Sequence, residues 1–136
     1  MNRSDFQRLS DVRQREAETL LSAGEPAGAY YLMGYAVECA LKACIAKATQ
    51  EFDFPEKERV NQSYSHDLTK LLQLAGLDGA LRSASDTNLD RHWTVIKDWK
   101  ETSRYAATID MKAATDICRA ANDPESGVLP WLRQNW

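Results

Sequence analysis

Glu38 and Lys42 are the charged side chains best placed to do chemistry, because they lie one helical turn apart. Both fall within residues 29–48, a stretch that is otherwise apolar on nearly every side. An acid four residues before a base on a helix can form a direct ion pair. If that pair is partly buried, each charge needs a partner, because an unpaired charge in an apolar interior is costly.

Two interpretations of this pair stay open from the sequence. In the first, which we favour, Glu38 and Lys42 belong to an internal polar network that fixes the register of their helix. In the second, they line a small polar pocket together with Arg104 and Tyr105. Arginine supplies charge for a nucleotide phosphate, and a tyrosine ring supplies a surface on which a base stacks. These four residues are therefore our candidate ligand-binding set.

The histidines and cysteines do not suggest a metal site. His66 and His92 are the two histidines of the chain, and no cluster of carboxylates accompanies them. We expect neither a metal nor another cofactor. The cysteines are odd in number and contain no Cys-x-x-Cys pair, which indicates reduced, buried thiols; they are Cys39, Cys44 and Cys118.

Composition narrows the class of protein. The 136 residues are 43% apolar and 27% charged, with a formal net charge of −3, which is typical of one globular domain. Strong non-specific DNA binding is disfavoured, because it usually needs a basic excess. The first residues lack the apolar core of a signal peptide, and the charges within residues 27–48 would be costly in lipid. We expect a cytoplasmic protein without a membrane partner.

Hydrophobic periodicity predicts an all-α chain. The expected helices cover residues 5–22, 26–49, 66–75, a short segment within 77–87, residues 88–105 and residues 107–121. Predicted N-terminal signals are a capping box at Ser4 and Gln7 and N-caps at Ser65 and Asn88. The intervening stretch from Gln50 to Ser65 is expected to be a loop, and long loops are often functional.

The chain is expected to form one domain over residues 1–136. Its core should lie in residues 5–121, where Gly28 and Gly34 allow close helix approach. The tail over residues 123–136 is unusually apolar, so it should pack on the bundle or on a second subunit.

Three segments follow one another along the chain: residues 30–43, His66-Asp67-Leu68 with Leu71-Leu72, and Asp98-Trp99 leading to Ser103-Arg104-Tyr105. Their sequences and their order resemble those of HEPN domains (higher eukaryotes and prokaryotes nucleotide-binding). The ending over residues 123–132 is similar to that of a bacterial branch of HEPN-like proteins. The resemblance covers residues 5–121 for the domain and the whole chain for the branch.

The resemblance implies an antiparallel, up-and-down bundle of four to five helices, usually a homodimer. It also implies a toxin–antitoxin, defence or nucleotidyltransferase-partner context. The partners would then be an antitoxin or a nucleotidyltransferase, with a nucleotide or RNA as ligand. Our preferred hypothesis is a non-catalytic binding or interaction module of this family.

The alternative hypothesis is a metal-independent endoribonuclease of the toxin type. Some family members use an arginine and a histidine separated by four to six residues, and six residues separate Arg59 from His66. By resemblance, His66 would transfer a proton while a ribose 2′-hydroxyl attacks the adjacent phosphate, and Arg59 would stabilise the phosphate charge. In the first turn of a helix, His66 would be kept neutral by the helix dipole.

Three observations favour the binding module over the ribonuclease. Val60 follows Arg59, where the ribonuclease pattern has a small polar residue. Arg59 is expected in a loop, so no helix would hold it relative to His66. A structural role also suffices for the segment around His66, because Ser65 would cap the helix and Leu68 would enter the core.

Overall fold

A computed structural model describes residues 1–51, 57–85 and 87–136, with residues 50 and 51 described by their backbone alone. These ranges contain helices and no strand, which confirms the all-α prediction. The helices are α1 (Arg3–Ser22), α2 (Pro26–Glu51), α3 (Lys57–Gln62), α4 (Leu68–Leu74), α5 (Asp78–Ser83), α6 (Asn88–Ile96), the 3₁₀ helix η1 (Glu101–Tyr105), α7 (Met111–Asn122) and α8 (Val128–Arg133). Within the same ranges, none of the helices has the length and hydropathy needed to cross a membrane.

Helix α2 is the centre of the fold. It packs most extensively against α1 and also contacts α4, α7, α8 and η1. Met33, Val37 and Leu41 on this helix are fully buried. A helix that is apolar on nearly all sides needs neighbours around it, and α2 has them, as its composition predicted.

Helices α1 and α2 form a hairpin with a three-residue connection. Gly24 ends α1 with a φ of +79°, and Pro26 begins α2, as expected for a glycine after a helix and a proline at its first position. Within the hairpin, the buried Ser10 hydroxyl donates a hydrogen bond of 2.8 Å to the Ala36 carbonyl. The packing of α1 on α2 thus gives the buried Ser10 hydroxyl a hydrogen-bond acceptor.

Three predicted N-caps are wrong. Helix α1 begins with a capping box between Asn2 and Asp5, and the side chains of Asp67 and Thr87 cap α4 and α6. Each cap lies one or two residues from the predicted position. The carboxylate or hydroxyl that reaches a backbone N–H decides the cap, and neighbouring polar residues in these segments look alike in sequence.

The predicted loop from Gln50 to Ser65 is partly helical. Helix α2 continues to Glu51, and α3 occupies Lys57–Gln62, while residues 52–56 lie outside the described residues. Arg59 is therefore on a helix, contrary to the loop prediction. A six-residue helix in a polar segment has too little periodicity to be predicted from its pattern.

The predicted helix over residues 88–105 is shorter than expected. Helix α6 ends at Ile96, and Arg104 and Tyr105 lie on η1; the following helix begins at Met111 instead of residue 107. Trp99, between α6 and η1, is buried with its indole against Gly34. The chain turns there to bring this large ring into the core.

The C-terminal tail packs on the bundle of its own chain. Val128, Leu129 and Leu132 are fully buried, and α8 contacts α2, α6 and α7. The Arg133 guanidinium also reaches the Asp11 carboxylate on α1, at 3.1 Å. Apolar burial thus accounts for the hydrophobic ending of the sequence.

Candidate functional site

His66 lies between two carboxylates that come from different elements. Its Nδ1 contacts Oε1 of Glu38 on α2, and its Nε2 is 2.5 Å from Oε2 of Glu101 on η1. The histidine itself immediately precedes Asp67, the N-cap of α4. We call Glu38, His66 and Glu101 the carboxylate–histidine network. It connects three segments that are distant in sequence.

The two contacts of His66 constrain where protons lie. Each ring nitrogen faces a carboxylate oxygen, and a hydrogen bond between them requires one proton. Either the imidazole carries both protons, or it carries one and the carboxyl of Glu38 or Glu101 donates the other. In each arrangement both ring nitrogens already have a partner, so His66 has no nitrogen free to accept a proton from a substrate.

Glu38 is the most deeply buried charged group of the network. Its side chain is 1% exposed. Burial raises the pKa of Glu38 above its ordinary value of 4.5, and the charge of Lys42 and the hydrogen bond to His66 oppose that rise. The Lys42 ammonium lies 3.8 Å from Oε1 of Glu38, which is too long for a hydrogen bond. Lys42 is therefore a loose partner and His66 a close one.

Arg104 and Tyr105 extend the network toward solvent. The Arg104 guanidinium lies 3.2 Å from Oε1 of Glu101 and 4.8 Å from the centre of the Tyr105 ring. Tyr105 is 76% exposed. The four predicted ligand-binding residues are thus linked through His66 and Glu101, and the contacts from Glu38 to Lys42 and His66 are those of an internal polar network.

The position of His66 differs from the sequence prediction in one respect that affects its chemistry. Helix α4 starts at Leu68, so His66 lies before the helix and not in its first turn. The predicted position in the first turn is therefore wrong, and the ring lies between two carboxylates instead.

A second feature is an open cavity of 520 Å³ beside α2, α1 and α3. Three cationic side chains line it, namely Arg3, Lys42 and Arg59, and the described residues around it include no carboxylate. Tyr35 and Tyr64 also line it. We call this feature the basic cavity. Its charge is opposite to that of the whole protein, which is −3.

The cations of the basic cavity are only partly engaged by protein groups. Arg59 donates a hydrogen bond to the Leu74 carbonyl at 2.5 Å, and Arg3 donates one to the Trp136 carbonyl at 2.7 Å. The Nε of Arg3 is buried and has no hydrogen-bond partner among the described residues. A guanidinium carries five N–H donors, so both arginines have donors to spare.

Arg59 and His66 line different cavities. Arg59 belongs to the basic cavity, whereas His66 lines a separate cleft of 500 Å³ with residues 97–102. Among the described residues, the hydrogen bonds of Arg59 and of His66 go to different partners. The structure thus brings His66 together with Glu38 and Arg59 together with Lys42.

Several residues of these features were not predicted from sequence. Glu101 was missed, although its position three residues before Arg104 suits a local ion pair. Arg3, Tyr35 and Tyr64 carry no local signal, because they meet at the basic cavity only after α1, α2 and α3 pack.

The other histidine and the thiols do not add a site. His92 Nδ1 lies 2.9 Å from the Ser126 carbonyl, and the described residues contain no group of three or more His, Cys, Asp or Glu side chains arranged to hold a metal. The three cysteines are free and buried, as predicted. Burial raises the pKa of Cys39 and of Cys44 to about 12, and that of Cys118 to about 11.

Comparison of this chain with protein-family models, with curated proteins and with solved structures gives no match. The resemblance to HEPN domains therefore stays a prediction based on the residues given above.

Proposed function

We propose that this chain is a non-catalytic binding module of the HEPN type, folded as an antiparallel, up-and-down helical bundle. Its ligand is a nucleotide or an RNA segment, held through phosphate. The observation that carries the proposal is the basic cavity, in which Arg3, Lys42 and Arg59 gather on a protein of net negative charge. Phosphate is the group that clustered arginine and lysine side chains bind best.

The ribonuclease alternative has less support. It requires His66 to exchange a proton with substrate and Arg59 to stabilise the same phosphate. Both ring nitrogens of His66 contact carboxylates, and Arg59 lines another cavity. A general base needs a free nitrogen within hydrogen-bond reach of its proton, so this geometry favours binding without cleavage.

One assay separates the two functions. Purified protein is incubated with labelled single-stranded RNA in EDTA, and both retention on the protein and strand cleavage are measured, with His66→Ala beside the wild type. We expect binding without cleavage by either protein. Cleavage that disappears in His66→Ala would establish the ribonuclease, and failure of the wild type to bind RNA or nucleotides would overturn the binding module.

The proposed module works as a homodimer with an antitoxin or nucleotidyltransferase partner. This part rests on the resemblance, because the apolar tail that first suggested a dimer packs on its own chain. Light scattering tests it directly. We expect twice the chain mass of 15.4 kDa, and a particle of one chain mass at high concentration would contradict the dimer.

A further inference from the structure

The basic cavity and the carboxylate–histidine network share one residue. Lys42 lines the cavity and is also the loose partner of Glu38, at 3.8 Å. Its side chain is 15% exposed, so the ammonium sits at the boundary between the buried network and the open cavity. Any anion that enters the cavity competes with Glu38 for the same positive charge.

Glu38 keeps a partner when Lys42 leaves it. The close contact with His66 Nδ1 remains, and the opposite side of the ring stays with Glu101. A buried carboxylate without a partner would be strongly destabilising. Because His66 supplies a second partner, Lys42 can turn to a ligand without leaving Glu38 alone.

A phosphate is a stronger partner for Lys42 than Glu38 is. Charge-assisted hydrogen bonds between nitrogen and a phosphate oxygen are typically about 2.7–2.9 Å long, whereas the present separation is 3.8 Å. Arg59 lines the same cavity and has donors beyond the one bonded to the Leu74 carbonyl. Both side chains therefore have hydrogen-bonding capacity for a phosphate in this cavity.

The remaining walls favour a ring next to that phosphate. Tyr64 lines the cavity and is 74% exposed, so its ring is available for stacking. The volume of 520 Å³ lies within the range of about 300–1,000 Å³ that is usual for single small-molecule ligands. An open site of this size suits one nucleotide unit and does not suit a duplex.

We propose that the basic cavity binds one phosphorylated ring compound, the chemistry of a mononucleotide or of a single nucleotide unit of RNA, and that Glu38 limits its affinity by competing for Lys42. The inference rests on the proposed function and deepens it. It assigns Arg3, Tyr35 and Tyr64 to the site and makes Glu38 a regulator that does not itself line the cavity.

Adenosine monophosphate and a short fluorescent oligouridylate are the two probes, measured by calorimetry and by fluorescence anisotropy. Lys42→Met and Arg59→Gln should each weaken binding roughly tenfold, the effect expected for one lost charge-assisted contact to phosphate. Lys112→Gln is the matched control, because Lys112 is an exposed cation paired with Asp116 outside the cavity. Thermal melts followed by circular dichroism verify that each variant is folded.

Competition between Glu38 and the phosphate for Lys42 predicts a separate result. Glu38→Gln should strengthen binding of the same probes roughly threefold, because Lys42 no longer faces a negative charge. Glu101→Gln removes an equal charge from the far side of His66 and should leave affinity unchanged. Weaker binding in Glu38→Gln, or equal strengthening in both variants, would overturn the competition between Glu38 and phosphate for Lys42.

The outcomes also separate this inference from the proposed function. If an RNA probe binds the wild type and the Lys42 and Arg59 variants equally, the ligand site lies elsewhere and the binding module survives. If neither probe binds, both proposals are wrong. Binding of adenosine monophosphate alone supports a free nucleotide as ligand, and binding of the oligouridylate alone, lost in the same variants, supports RNA.

Discussion

The carboxylate–histidine network and the basic cavity both rest on α2, but their charges are balanced in opposite ways. In the network, each ring nitrogen of His66 faces an acid, and Glu38 has two basic partners. In the cavity, the described lining residues include three cations and no carboxylate, and Lys42 has only a loose partner in Glu38. Closely paired charges hold elements together, whereas cations that are only partly engaged attract anionic ligands. From this contrast we propose a structural role for the first feature and a binding role for the second.

The largest expected effect comes from disturbing the segment that carries Glu101 while sparing the cavity. A Cβ at Gly34 would lie 2.2 Å from the Trp99 indole, whereas one at Gly28 would meet only the flexible end of Leu20 at 2.9 Å. Gly34→Ala should therefore cost about 3 kcal/mol of unfolding free energy. Urea melts measure it. Gly28→Ala is the control and should cost much less, since Leu20 can move.

A Gly34→Ala protein as stable as the wild type would show that Trp99 is not fixed against α2. The structural role of the carboxylate–histidine network would then lack support, because the position of η1 would not depend on its packing against α2.

Removing His66 should lower the free energy of unfolding by less than Gly34→Ala does. His66→Ala leaves the buried Glu38 with Lys42 as its loose partner, which should cost about 1–3 kcal/mol. Because Glu38 then depends on Lys42, the same variant should bind adenosine monophosphate several-fold more weakly. Chemical denaturation and calorimetry give the two values. Unchanged stability together with unchanged affinity would mean that Glu38 does not need His66.

The protonation of Glu38 predicts a pH dependence with a definite sign. Burial raises the pKa of Glu38 above 4.5, so above that pH the folded state binds more protons than the unfolded state. The contribution of Glu38 to stability is then complete below pH 4.5 and is lost as pH rises through the folded pKa. As pH rises from 4.5 through the folded pKa of Glu38, the wild type should become less stable relative to Glu38→Gln.

Urea melts of both proteins at several pH values from 4 to 7 measure this difference, and roughly 1.4 kcal/mol corresponds to each unit of pKa shift. A difference in stability that is constant with pH would contradict the raised pKa. A difference that grows in favour of the wild type would reverse the sign and indicate that Lys42 and His66 outweigh burial.

The last prediction concerns the buried cysteine thiols, which should not react while the protein is folded. Burial raises the pKa of Cys39 and Cys44 to about 12, and thiols react as thiolates. The folded protein should react negligibly with a disulfide reagent at pH 8, and all three cysteines should react in guanidinium chloride. Rapid labelling of the folded protein would show that this part of the core opens easily.

Local sequence patterns predicted much of the helical framework. The nearly continuous apolar surface of α2 required neighbours on all sides, and the predicted helices over residues 5–22 and 26–49 agree with α1 and α2 to within two residues at each end. These features follow from interactions within a few residues or from burial alone. The short helix α3 was missed because six residues in a polar segment carry too little periodicity, and the end of α6 was missed because the packing of Trp99 on Gly34 overrides local pattern.

The candidate site also divides into a part that local sequence predicts and a part that depends on tertiary packing. The i, i+4 spacing of Glu38 and Lys42 was sufficient to predict an ion pair, since helix geometry alone brings the two side chains together. The addition of His66 and Glu101 to that pair depends on how the segment before α4 and η1 pack on α2. The meeting of Lys42 with Arg59 beside a cavity depends on the placement of α3. Charges distant in sequence become partners only when apolar burial fixes the helices that carry them, and that step belongs to the tertiary structure.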